Sequence, residues 1–142
     1  MRIDRAVADR ILAHARCGYP YEVCGVLIGA PDGAKRVESA QPVENREADR
    51  PRVRYLIAPE DLIAIQHDAR ARGQDILGYY HSHPDHPARP SETVRRIAAE
   101  GLSDGVILVV IGVEKGERAV PTAWIFRDSV QSFEPEPIEM ES

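Results

Sequence analysis

The sequence predicts a single α/β domain in which a mixed β-sheet is flanked by helices. Two short apolar runs, "VCGVLIG" (residues 23–29) and "GVILVVIGV" (residues 105–113), are typical of buried strands. Around them lie segments in which apolar residues recur at helical spacing. The 142 residues contain no repeat and no linker, so we assign residues 1–134 to one domain and residues 135–142 to an acidic, frayed tail.

The first predicted helix is amphipathic. Ile3, Val7, Ile11 and Ala15 recur every fourth residue, with Asp4 near the start of the segment. Gly18 and Pro20 follow this pattern and are expected to end the helix.

Two further helices are predicted from their terminal residues. Pro59 suits a first helical position, and the apolar face that follows it runs until Gly73. Ser91 can cap a third helix, which ends at Gly101.

The other predicted strands are "RVESAQPV" (36–43), "RVRYLI" (52–57), "DILGYYHSH" (75–83) and "AVPTAWIFR" (119–127).

Composition argues against several function classes. The net charge of −5 is unfavourable for a nucleic-acid partner, which needs an organised basic face. The two cysteines form no disulfide framework, and no apolar run approaches the length of a membrane span. The N-terminal residues lack the apolar core of a signal peptide. We therefore expect a cytoplasmic protein without a membrane or nucleic-acid partner; the sequence leaves its oligomeric state undefined.

The motif "HSHP" at residues 81–84 is the strongest chemical feature. Side chains at i and i+2 of a strand point to one face, so His81 and His83 present two imidazoles side by side. Pro84 then stops the strand. Paired imidazoles at a strand end predict two ligands of a zinc ion.

The same residues also fit the beginning of a two-metal site. The residues His81, His83, Asp85 and His86 match the His-x-His-x-Asp-His signature of the metallo-β-lactamase superfamily. That superfamily needs further histidines later in the chain, and none follows His86 here. The His-Glu-x-x-His motif and the zinc-deaminase motif are also missing, so a one-metal site must take its general base from elsewhere.

"YEVCGVLIG" followed by "HSHPDHPARPS" resembles the JAMM (MPN-plus, Mov34/PAD-1) zinc metallopeptidases, in particular their short bacterial members. The resemblance covers nearly the whole chain and implies a curved mixed sheet flanked by helices, of the cytidine-deaminase-like class. It implies that His81 and His83 bind Zn²⁺ and that Glu22 takes a proton from the zinc-bound water. It also implies that the Ser91 hydroxyl helps to hold the tetrahedral oxyanion.

One position departs from the family pattern. Three residues after the serine the family has an aspartate, the third zinc ligand, where this chain has Val94. Glu92 lies about 200° round the helix axis and faces the wrong side. Asp85, His86 or a water molecule could take the position, and the sequence leaves these alternatives open.

The resemblance implies hydrolysis of an amide bond after the C-terminal Gly-Gly of a ubiquitin-like protein. Because the chain has little room for additional substrate-gripping loops, we expect a sulfur-carrier protein as substrate. Activity is expected to be impaired by Val94. The alternative is a non-catalytic MPN-type protein-binding module, which Val94 favours and the retention of Glu22, His81, His83 and Ser91 disfavours.

Overall fold

The computed structural model describes residues 1–52 and 54–142. Within these residues the elements follow the order β1, α1, β2, β3, β4, α2, β5, α3, β6, β7, β8, β9. The helices are α1 (Arg5–Gly18), α2 (Pro59–Ala71) and α3 (Glu92–Gly101). The strands are β1 (Arg2–Asp4), β2 (Cys24–Gly29), β3 (Arg36–Val37), β4 (Ser39–Val43), β5 (Asp75–Pro84), β6 (Ile107–Glu114), β7 (Arg118–Arg127), β8 (Ser132–Glu136) and β9 (Glu139–Glu141).

The main sheet has six strands in the order β4-β2-β5-β6-β7-β8. Only β5 and β6 run parallel, and the other neighbours are antiparallel, so the sheet is mixed as predicted. A small second sheet has the order β3-β1-β9, with both pairs parallel. The predicted α/β class is confirmed.

The main sheet is covered on both faces. Leu27 of β2 and Tyr80 of β5 belong to the core that includes Ile11 of α1. Val26 belongs to a second cluster with Ala69 of α2, and Tyr79 packs against that cluster. Because side chains alternate along a strand, His81 and His83 share the face of Tyr79. The histidines therefore lie on the α2 side of the sheet.

Most predicted elements are confirmed, including the helix caps. The Asp4 carboxylate accepts a hydrogen bond from the Ala6 backbone amide, and the Ser91 hydroxyl accepts one from the Val94 amide. Ile3, however, lies in β1 and not in the first helix.

One strand prediction is confirmed in part and another is wrong. Within the predicted strand 36–43, residues 39–43 form β4 and pair antiparallel with β2, whereas residues 36–37 form β3 and pair with β1 in the second sheet. Pro42, which has no backbone amide hydrogen, is tolerated because β4 is an edge strand. Residues 54–57 form no strand, and the Leu56 amide donates to the Asn45 side chain and not to a strand ladder. Val53, in the same prediction, lies outside the described residues.

The expected fraying after residue 134 is also wrong. Strand β8 extends to Glu136 and pairs with β7, and β9 pairs with β1. The amino group of Met1 donates to the Glu136 carboxylate at 2.9 Å, and Met140 packs against the main core. Apolar contacts and strand pairing order a segment whose composition indicates a tail. No helix in the described part of the chain has the length and apolar character needed to cross a membrane.

Candidate metal centre

Glu22, His81 and His83 converge at one point. One candidate ligand atom from each side chain lies within 4.8 Å of the other two. The convergence follows from the strand register, because Cys24 pairs with His81 across β2 and β5 and Glu22 lies two residues before Cys24. The structure thus brings together the three residues that the sequence analysis grouped.

The two imidazoles face each other through their Nε2 atoms, which are 3.1 Å apart. His83 Nδ1 lies 2.7 Å from the Pro87 carbonyl oxygen, and because a carbonyl can only accept, Nδ1 is the donor. In the neutral ring this leaves the Nε2 lone pair free for a cation. Burial lowers the pKa of both His81 and His83, which favours the neutral, ligating form.

The ring of Tyr55 stacks on the ring of His81, with centroids 4.5 Å apart and planes 23° from parallel. His81 Nδ1 makes no hydrogen bond to any residue that the structure describes. The ring of His81 is therefore oriented by stacking and burial, whereas that of His83 is oriented by a hydrogen bond.

The carboxyl group of Glu22 is buried, with 6% of the residue exposed. This burial raises the pKa of Glu22 to about 8, because desolvation penalises the charged form. Its backbone is fixed on both sides: the amide donates to the Pro51 carbonyl at 2.7 Å, and the carbonyl accepts from Asn45 Nδ2 at 3.0 Å. A carboxyl with such a pKa can exchange a proton near neutral pH.

Ser82, between the two histidines, ties their strand to the segment of Glu22. Its hydroxyl accepts a hydrogen bond from the Val23 amide at 2.9 Å, and its own amide donates to the Val23 carbonyl. Ser82 is fully buried, so solvent does not compete for these bonds. The bonds extend the β2–β5 pairing to the residue next to Glu22.

Ser91 and Val94 line the same groove as the three converging residues. The Ser91 oxygen accepts from the Val94 amide at 3.1 Å, which leaves the hydroxyl hydrogen free to donate to another group. Val94 has no atom that can coordinate a cation.

None of the residues proposed as substitutes for the third ligand belongs to the cluster found in the described part of the chain. Asp85 is bonded to the Tyr19 hydroxyl and to the Lys115 amide, so its carboxylate is engaged elsewhere. His86 is exposed and lines the groove, but it is not part of the Glu22–His81–His83 cluster. Glu92 pairs with Arg95 on the surface of α3, in agreement with its predicted outward position.

The groove above the cluster has a volume of about 820 Å³. Two large apolar side chains in its lining, Leu56 and Ile97, are 52% and 64% exposed. Exposed apolar side chains beside a cluster of polar groups are typical of a binding groove.

Residues 4–127 match the family described as prokaryotic homologs of the JAB domain. The chain belongs to this family. A desampylase from Haloferax volcanii is 45% identical over 95 residues, which cover 64% of this chain and 67% of that protein. The CysO-cysteine peptidase of Mycobacterium tuberculosis is 32% identical over 94 residues, and the match spans 66% of this chain and 62% of the peptidase. The chain therefore matches less than two thirds of the peptidase's length.

Two solved structures share the fold of this chain. A solution structure from Desulfitobacterium hafniense has a TM-score of 0.83 and 28% identity, covering 99% of this chain and 92% of that one. A structure described as a JAMM metalloprotease-like zinc site has a TM-score of 0.58 and 16% identity over 100% of this chain and 98% of that one. At that identity the second likeness shows the fold alone.

Three residues that shape the centre of this JAB domain were missed by sequence reasoning. They are Asn45, Tyr55 and Ser82. Asn45 lies between two predicted strands and Tyr55 lies in the second of them, and no local pattern there marks a contact with Glu22 or His81. Ser82 could have been found, because a serine that alternates with two ligands points to the opposite face and must find a partner there.

Proposed function

We propose that this JAB-domain protein hydrolyses the amide bond that follows the C-terminal Gly-Gly of a ubiquitin-like sulfur-carrier protein. The convergence of Glu22 with His81 and His83 at the groove supports this proposal most strongly. Two imidazoles and a carboxylate form a donor set suited to Zn²⁺, and the 3.1 Å between the Nε2 atoms is close to the separation of about 3.3 Å expected for two nitrogen ligands of a tetrahedral ion.

A zinc ion at this place would act as a Lewis acid and bring the pKa of a bound water close to neutrality. Glu22 would take up a proton at its carboxylate and later give it to the leaving amine, a role that suits its position beside both histidines. The free hydrogen of the Ser91 hydroxyl would donate to the developing oxyanion. The apolar groove walls would hold the extended tail and exclude water.

The relatives support the substrate class. Two relatives are named desampylase and CysO-cysteine peptidase, and we take these names as support for a ubiquitin-like protein as substrate. A Gly-Gly tail has no side chains and can lie in the groove, and the exposed side chains of Leu56 and Ile97 would then contact the body of the carrier. The chain is therefore proposed to act on the C-terminus of a small protein.

Val94 supports the second candidate, a non-catalytic module that binds the same carrier through the same groove. Two histidine ligands hold zinc more weakly than two histidines and an aspartate, and even the loss of an outer partner costs roughly 10–100-fold in affinity or activity. Both candidates predict that the carrier binds in the groove, but only the peptidase predicts that the carrier is cleaved.

The test uses a ubiquitin-like carrier extended by one amino acid beyond its terminal Gly-Gly. In the presence of zinc we expect slow cleavage by the parent protein, faster cleavage by Val94→Asp, and no gain for Val94→Ala. Glu22→Gln should abolish cleavage in both the parent and the Val94→Asp background. Absence of cleavage by the parent and by Val94→Asp, with binding retained, would establish the module instead.

A binding experiment tests the carrier. Calorimetric titration should give weaker binding once the terminal glycines are removed from the carrier. Equal affinity for the full and the truncated carrier would contradict the proposed tail-binding groove.

A further inference from the structure

The structure places a carboxylate beside the two histidines even though Val94 cannot act as a ligand. Val94 lies in the first turn of α3 and lines the groove, while Glu22 provides a carboxylate oxygen in the cluster with His81 and His83. We infer that Glu22 is itself the third protein ligand in this chain, which forms a two-histidine, one-glutamate site for a divalent cation. The inference rests on the proposed function only in taking a zinc-like ion as the occupant.

The geometry requires only a small rearrangement. The candidate ligand atoms are within 4.8 Å of one another, and donor atoms around a tetrahedral zinc ion lie about 3.3 Å apart, so a separation at that limit has to shorten by about 1.5 Å. The Glu22 backbone is held by Pro51 and Asn45, but the side chain has three rotatable bonds. Rotation about these bonds can shorten the separation without moving the backbone.

Burial favours the same assignment. The Glu22 residue is 6% exposed, and none of the ion pairs found among residues 1–52 and 54–142 includes it. A buried carboxylate is costly without a partner charge, and a divalent cation held by His81 and His83 would supply one. Within the described residues, no other group of three or more potential ligands forms a cluster.

The assignment has a chemical consequence. A carboxylate that coordinates a cation is a weaker base than a free one, so tight metal binding and proton transfer compete for Glu22. An aspartate at position 94 would take over coordination and release Glu22 for proton transfer. The chain therefore combines a filled metal site with slow hydrolysis.

The test is a double-mutant cycle on metal affinity, measured with Zn²⁺ alone by competition with a chromophoric chelator. In the parent, Glu22→Gln should weaken zinc binding at least 10-fold. In the Val94→Asp background the same change should alter affinity less than 3-fold. Glu92→Gln removes a nearby carboxylate outside the cluster and should leave the affinity of the parent unchanged. Circular dichroism of each variant checks that it is folded.

Cobalt substitution gives a second readout. The visible absorption of the Co²⁺-loaded parent should change with Glu22→Gln, and the spectrum of Val94→Asp should be insensitive to the same change. Unchanged zinc affinity of parent Glu22→Gln would overturn the inference, as would an equal loss in both backgrounds. Because these measurements contain no carrier, failure to cleave a carrier overturns the proposed function without affecting this result.

Discussion

Glu22 couples the stability of the metal-free protein to pH. Its folded pKa is raised by burial to about 8, above the ordinary value of 4.5, so the unfolded chain releases this proton at lower pH than the folded chain. The free energy of unfolding should therefore fall as pH rises from about 4.5 to 8. His81 and His83 act in the opposite direction: their lowered pKa values remove stability as pH falls below 6.5.

We predict that Glu22→Gln raises the free energy of unfolding of chelator-treated, metal-free protein at high pH. The neutral amide avoids the cost of a buried charge, so at pH 8 the variant should be more stable than the parent by at least about 1.4 kcal/mol, the equivalent of one pKa unit. At pH 4.5 the difference should largely vanish. Urea unfolding at the two pH values measures both, and an equal difference at both would contradict the link to ionisation.

At the scale of elements, the loop between β4 and α2 determines how Glu22 and Tyr55 are presented. Both the nitrogen and the oxygen of the Asn45 side-chain amide form hydrogen bonds in this loop. Its amide nitrogen donates to the Glu22 and Arg54 carbonyls, and its oxygen accepts from the Glu47 and Leu56 amides, at 3.0–3.1 Å. One side chain thus joins the loop to the segment that carries the carboxyl group.

We predict that Asn45→Ala lowers the free energy of unfolding by roughly 1 kcal/mol, because four part-buried or exposed hydrogen bonds are lost. It should also weaken zinc binding, since the Glu22 backbone loses one of the two hydrogen bonds that hold it. Asn45→Asp keeps the contacts in which the side chain accepts from the Glu47 and Leu56 amides, and it loses those in which the side chain donates to the Glu22 and Arg54 carbonyls. Comparison of the two variants therefore shows which pair of hydrogen bonds affects zinc binding. Zinc affinity equal to that of the parent in both variants would show that the loop does not position Glu22.

Ser91 caps the N-terminus of α3 and is also proposed to donate a hydrogen bond to the oxyanion. Ser91→Ala should cost about 1 kcal/mol of stability through the lost cap, and Ser91→Gly only a few tenths. Both variants lose the hydroxyl donor, so we expect cleavage by the Val94→Asp protein to fall equally in both. If the loss of activity follows the loss of stability, the hydroxyl has only a capping role.

At the scale of the whole molecule, the two ends of the chain are joined through the small sheet. Strand β9 pairs with β1, and Met140 packs against the core that contains Ile3 and Ile11. We predict that deletion of residues 137–142 lowers the melting temperature by more than about 5 °C, since it exposes this apolar surface. Zinc affinity should be unchanged, because the deleted residues do not line the groove. An unchanged melting temperature would restore the interpretation of this segment as a tail.

Much of the molecule could be predicted from local sequence. The helices follow from apolar periodicity and from caps such as Asp4 and Ser91, and the buried strands follow from continuous apolar runs. The alternation of side chains along a strand places His81 and His83 on one face. The glycine of "YEVCG" has a physical reason in the structure, because a Cβ at Gly25 would lie 2.1 Å from the ring of Tyr80.

The sequence by itself determined the α/β class and the pair of histidines, because both depend on residue types and short-range spacing. The departure at Val94 followed from the resemblance to the JAMM family. The side chains that surround the histidines and Val94 were decided by the tertiary structure alone. The stacking of Tyr55 on His81, the turning of Asp85 towards Tyr19, and the approach of Glu22 to both rings depend on contacts between residues far apart in the chain. Such contacts are fixed by strand register and loop hydrogen bonds, which local patterns do not encode.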